Sequence, residues 1–599
     1  MKRWPNKALL GAGTALLLMA IPALSQEAPE SLLPPGFGDP QDLPPPEDRP
    51  RAPRPQQPQP APGPTANSPT LQESGNPEEG EGGLGALEQP RPLNYFSIPE
   101  GRARPVDLVG PLEPGNFGLG RDAFGRGDGA MLAALMRQLD APLPSRWASI
   151  LLRRALLSRL DAPAGINPVD WVAERADLLL RMGEADAARM LVQSVDQENY
   201  TPRMLEVAGQ TALATADPAA LCPIVGPART ISDDGVWLLA EAMCAALEGE
   251  PARASALADQ ARRQSGAGGI DLALAEKVIG SGAETRRASI IDWQGVNELT
   301  PWRLGLASAT GAEIPPALVN RATPRMQAWL ARAPMLPLEQ RLGAASVAAT
   351  LGVFSSHTLV EIYSLLLDQT DPAELEGTIG QRLRLAWTHR DPAERVEAMR
   401  ELWEDPAARA QRYARLILTS GAAARVPASP DFAGDADNLV ASLLSAGLDR
   451  QAAHWGQVVQ DSDSQRAWAM LAVAAPGSAV EISPDRVQAL IGDGAGGRRA
   501  QLLVAALAGL GRAPDADAAR LAAATGLQLG GDDAWTAAID RAAQRRLPGV
   551  VALLSGIGMQ TGRWSGVPPH YLFRMMRALR TVGLDYEARM IAAEAIARL

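Results

Sequence analysis

At 599 residues the chain is long enough for several domains or one extended solenoid. Apolar residues make up 46% of it, enough to bury a core, and the net charge of −11 excludes the broadly basic face that a nucleic-acid partner needs. Only Lys2, Lys7 and Lys277 are lysines, so the basic side chains are nearly all arginine, a composition bias rather than a phosphate-binding signal.

The first 25 residues have the layout of a secretory signal peptide: Lys2, Arg3 and Lys7, then the apolar run ALLGAGTALLLMAIPAL, then small residues before Gln26. No cysteine stands at the cleavage site, which argues against a lipid anchor. The expectation is an exported, periplasmic protein, with an uncleaved inner-membrane tether as the alternative. Residues 26–94 hold eighteen prolines and almost no aromatic or β-branched side chains. Such a segment cannot offset its ordering entropy by burial and is expected to be a disordered Pro-rich linker, extended around RAPRPQQPQPAPGP. Residues 95–129, with GNFGLGRDAFGRGDGA, form an irregular Gly-rich segment. Its glycines resemble a phosphate loop, but it has no Gly-Lys-Ser/Thr ending and no preceding strand pattern, so a flexible entry loop is expected.

From Ala130 the character changes. MLAALMRQL, WASILLRRALLSRL and WVAERADLLLRM space apolar residues by three and four, and the breaks between them are short and carry Gly, Pro or Asp. The fold class is therefore all-α. Residues 130–290 show helical repeats, 291–430 are helical with no clear period, and 431–599 return to a repeat pattern.

The repeat is carried by an aromatic, a glycine twelve residues later and an alanine five after that. Trp171, Gly183 and Ala188 make one copy; Trp237, Gly249 and Ala254 a second; Tyr571, Gly583 and Ala588 a third. Gly447 with Ala452 and Gly511 with Ala516 are weaker copies without the aromatic. In a helical hairpin the glycine ends the first helix in a left-handed turn, the alanine sits where the helices cross, and the aromatic is expected to fill the space between them. Turns near Ala216 and Gly282 extend the series 183, 216, 249, 282 at a period of 33. This pattern resembles a degenerate tetratricopeptide repeat (TPR-like), which implies an irregular α-solenoid of hairpins, each stacked on its neighbours, with a curved surface for peptides or proteins and no catalysis. The concave face of 165–290 is the expected binding surface. In that arrangement Cys222 starts the second helix of one unit and Cys244 lies on the first helix of the next, so a disulfide between them is expected, with two separate buried thiols as the alternative.

Little else points to chemistry. His357, His389, His454 and His570 have no ligand spacing, and neither cysteine has a ligand neighbour, so no metal and no cofactor is expected. Ser355–His357 lies in no nucleophile elbow, and the acidic pairs at Asp435, Asp461 and Asp532 read as helix caps. The C-terminal third lacks the Glu-Ser pair of a lytic transglycosylase domain. The functional expectation is a non-enzymatic scaffold or adaptor for envelope proteins. The alternative is a protein that binds or processes cell-wall polysaccharide, which would expose tryptophans along a groove, whereas a scaffold would bury Trp171 and Trp237. Self-association through the terminal repeats is the third reading.

Overall fold

The computed structural model describes residues 102–599 apart from 233, 265–267, 283–290, 406–410 and 492–495. The signal segment, the Pro-rich linker and the start of the Gly-rich segment lie outside the described residues.

The described chain is all-α, with one two-residue pairing, β1 (Leu108–Val109) antiparallel to β2 (Leu160–Asp161). The first helices are α1 (Gly129–Gln138), α2 (Arg146–Leu157), α3 (Pro168–Arg181), α4 (Ala185–Val192) and α5 (Pro202–Ala214). They are followed by α6 (Cys222–Ile231), α7 (Gly235–Leu247), α8 (Pro251–Gln264), α9 (Gly269–Gly282) and α10 (Pro301–Thr310). The stretch without a sequence period holds α11 (Pro316–Arg321), α12 (Pro324–Ala331), α13 (Leu338–Leu351), α14 (Ser356–Gln369), α15 (Ile379–Thr388), α16 (Pro392–Glu404) and α17 (Arg412–Ala423). Next come α18 (Ala436–Ser445), α19 (Asp449–Ala453), α20 (Gly456–Gln460), α21 (Gln465–Ala474), α22 (Pro484–Ala489) and α23 (Gly496–Gly509). The last are α24 (Asp515–Ala524), α25 (Ala534–Gln544), α26 (Pro548–Gly558), α27 (Pro569–Thr581) and α28 (Asp585–Ala597). Helix starts are locally encoded. Asn167, Thr201 and Thr300 each accept a backbone N–H of the first turn, and each is followed by a proline at the first helical position.

Helix ends are encoded just as locally. Gly183, Gly249, Gly447, Gly511 and Gly583 all have positive φ. At each, the glycine N–H donates to the carbonyl three residues back, and the next N–H to the carbonyl five back, which satisfies two otherwise orphaned acceptors. Ala216 makes the same two bonds at φ +52° without being glycine. Gly282 is the last residue of α9, and residues 283–290, where its turn would fall, lie outside the described residues.

Packing is not only between neighbours. Helix α2 lies against α26, α28 and α13 as well as α3, and α28 lies against α18 and α21. One core cluster accordingly runs from Val109 to Ile596. Polar contacts fix this closure. The Glu594 carboxylate, on the last helix, accepts from Ser145 Oγ (2.6 Å), Arg146 N (2.8 Å) and Trp147 N (3.1 Å), and so caps α2. The buried Arg146 guanidinium donates to the carbonyls of Phe354 (2.9 Å), Ser445 (3.3 Å) and Ala349, tying the ends of α13 and α18 to the start of α2. Burial pulls its pKa below the usual range, and these carbonyls hold the cation in place.

The described part of the Gly-rich segment is no free loop. Val109, Leu119, Ala123 and Phe124 are buried, Leu119 N donates to Ser158 Oγ (2.8 Å), and Gly549 N on α26 donates to Ala123 O (2.9 Å). Its glycines serve close packing: a side chain at Gly110 would collide with the Ser158 carbonyl, and one at Gly118 with the Leu112 carbonyl.

Candidate functional site

The repeat residues separate into those whose local role decides their place and those whose role depends on tertiary partners. Ala188, Ala254, Ala452 and Ala588 are fully buried on the second helix of their hairpins. Ala516 is exposed, because α24 begins four residues after Gly511 whereas α4, α8, α19 and α28 begin two after their glycines. The alanine therefore falls a half-turn early, and Ala518 takes the buried place.

The aromatics of the three strong copies have partners outside their own hairpins. Each meets a residue earlier in the chain, beyond the element that directly precedes its helix. Trp171 is buried and contacts Phe124 edge-on at 5.5 Å. Trp237 is half-buried and lies over Gly209 of α5, where an added Cβ would come within 3.0 Å of its ring. Tyr571 stacks on Trp535 of α25 at 4.1 Å and donates its hydroxyl to Asp533 (2.7 Å). None of the twelve described tryptophans is exposed.

Cys222 and Cys244 form a disulfide, with Cα atoms 5.4 Å apart, that joins the start of α6 to α7. The staple matters because α6 has little else: only Ile224, Val225 and Ala228 are buried on it, and Pro227 interrupts its hydrogen bonding. Next to the staple, α5, α6, α7 and α10 enclose a groove of about 390 Å³. Leu205, Leu213, Ala240 and Trp237 line it, and Ile231, half exposed at the end of α6, stands at its rim. A recess of about 300 Å³ adjoins it, sharing Asp234, Val236 and Trp302.

The polar groups around this groove are already engaged. Asp234 caps α7 through Val236 N (3.0 Å), and Glu206 pairs with Arg203 (2.8 Å). Asp271 accepts from Arg303 at two nitrogens (2.8 Å each), and that bond raises the Arg303 pKa above its usual range. Trp302 Nε1 donates to Asp271 O (3.1 Å). The lining has no histidine and no cysteine, and Ser232 Oγ accepts the Asp234 N–H (3.3 Å). What the groove offers is apolar area in a shallow, partly preformed cleft, the chemistry of side-chain docking.

No family model, curated protein or solved structure matches this chain.

The other sequence candidates fall apart in space. His357 is exposed and lies 3.3 Å from Glu361, while Ser355 caps α14 through Thr358 N (3.0 Å). Asp533 caps α25 reciprocally with Thr536. Asp435 does not act as a side-chain cap but pairs with Arg400 (2.8 Å). Among the described residues no group of three or more His, Cys, Asp or Glu could hold a metal. The groove itself was half legible: 165–290 contains its α5–α7 walls, but Trp302 on α10 comes from beyond the repeat, and only tertiary contact brings it in.

Proposed function

We propose that the chain is an exported, non-enzymatic TPR-like adaptor that binds a segment of an envelope protein in the α5–α6–α7–α10 groove. One observation carries the reading. This cleft leaves Ile231 and one side of Trp237 without a covering element, beside a covalent staple that holds its wall in place. A disulfide between the only two cysteines supports an oxidising compartment and agrees with the signal-like N-terminus. The spacing of glycine and alanine supports kinship with tetratricopeptide hairpins, whose usual role is peptide binding. That none of the described tryptophans is exposed favours this reading over the glycan-binding one, which needs a row of open ring faces along a groove rather than the one side of half-buried Trp237.

The test is a photo-crosslinking amino acid at Ile231 of the full chain in cells, with Arg520, an exposed position on α24, as the control. A discrete protein adduct from 231 and none from 520 is expected. Adducts of glycan strands, or identical patterns from both positions, would overturn the proposal.

A further inference from the structure

A second cleft, of about 740 Å³, lies between α1 and the α25–α26 hairpin and shares no residue with the first. Its floor is apolar, from Leu135, Ala538 and Val550, and Met131 stands half exposed at its edge. Three exposed arginines line it as well: Arg126 from the loop before α1, and Arg541 and Arg545 from the end of α25. Other arginines are neutralised by carboxylates, as Arg574 is by Asp532 and Asp540, and Arg589 by Asp449 and Asp585. These three have no ion-pair partner among the described residues. The one carboxylate in the lining, Asp128, is occupied in capping α1 through Met131 N (3.0 Å).

A cationic rim over an apolar floor, in a chain of net charge −11, defines what fits. Apolar side chains would fill the floor, and carboxylates would meet guanidinium forks that can bind them at two points. The positive charge comes from both elements that wall the cleft. That distribution suits carboxylates flanking an apolar stripe on both sides, the pattern of an amphipathic helix, rather than one headgroup at one end of an acyl chain. We propose that the α1–α25–α26 cleft binds an acidic amphipathic segment of a partner protein. It is a docking surface distinct from the α5–α10 groove, whose rim carries Glu206 and Asp234 in place of unpaired arginine.

The test uses the full chain and two labelled synthetic helices of about 18 residues, identical in their leucine stripe, one with flanking Glu and one with flanking Lys. Fluorescence anisotropy should show the Glu helix binding about tenfold or more tighter than the Lys helix, with the difference shrinking as salt is raised. Reversing the rim (R541E with R545E) should weaken the Glu helix about tenfold and strengthen the Lys helix. A gain for the Lys helix also reports that the variant is folded. Ile231→Asp, in the other groove, should leave both affinities unchanged, so the failure of one site is separable from the failure of the other. Equal binding of both helices, indifference to the reversal, or binding of sodium dodecanoate with no binding of either helix would overturn the proposal.

Discussion

Helices α28 and α8 are both the second member of a glycine-turned hairpin, yet they are held in opposite ways. On α28 every residue from Glu587 to Ile596 is buried, charged ones included, because α2, α18, α21 and α23 surround it. On α8 only Ala254, Ala258 and Ala261 are buried, and Ala254 belongs to a small cluster with Ala245 and Ala246 that stands apart from the main core. The same local signature thus ends in a central strut at one place and in a peripheral flap at the other. What separates them is tertiary closure: the start of the helical body is capped by its last helix, while α8 rests on three alanines beside α7, which the disulfide ties to α6.

The largest effect should come from breaking the closure. Glu594→Ala leaves Ser145 Oγ and two N–H groups of α2 unsatisfied in the interior, and is expected to cost about 3–5 kcal/mol in urea denaturation. The matching change on α8, Asp259→Ala, removes an exposed pair with Arg262 and should cost less than about 0.5 kcal/mol. Comparable losses for the two would erase the contrast.

Next in size is the staple. The disulfide closes a loop with a sequence separation of 22, for which chain entropy gives about 3 kcal/mol, so Cys222→Ser with Cys244→Ser should lower stability by roughly that amount. The loss should be local. Limited proteolysis is expected to cut in α6–α9 first, with α28 still protected.

Smaller again is the glycine turn, where the contrast can be measured at equivalent positions. Gly447 and Gly249 share a left-handed backbone, φ +79° and +81°. Alanine at Gly249 would meet nothing within 4 Å, so only the backbone penalty of about 1 kcal/mol is expected. At Gly447 the new methyl would collide with the Tyr586 hydroxyl and press on Trp147, adding about 1–3 kcal/mol. Thermal denaturation of the two variants checks the difference.

A comparably modest effect is expected at the exposed cap of α25. Asp533→Ala should cost about 1 kcal/mol at neutral pH. The Thr536 N–H and then the Tyr571 hydroxyl hold the Asp533 carboxyl below the usual carboxylate range. A depressed pKa in the folded state means that its contribution is full above the unfolded value and is lost as pH falls through the folded one. The gap between wild type and variant should therefore close below about pH 4.

What was legible in the sequence follows the range of the interactions. Helices and hairpin turns depend on residues within one or two turns, so apolar spacing, Pro and Gly located them, and the cysteine pair could be placed once the hairpins were. Closure could not be read, because Arg146 and Glu594 stand 448 residues apart and each looks like an ordinary polar position on its own helix. The aromatics read as packing residues of their hairpins, but their partners earlier in the chain, Phe124, Gly209 and Trp535, lie outside the repeat and could not be read from it. The groove shows the same split, with its α5–α7 walls in the repeat and Trp302 supplied from outside it.

The most direct measurement is native-state hydrogen exchange with mass spectrometry across α2, α8 and α28. Closure predicts that amides of α2 and α28 exchange only by global unfolding, in step with each other, and that α8 exchanges much faster and faster still after reduction of the disulfide. An α28 that frays independently of α2, at rates like those of α8, would be the behaviour of an open solenoid end and would contradict the closed arrangement.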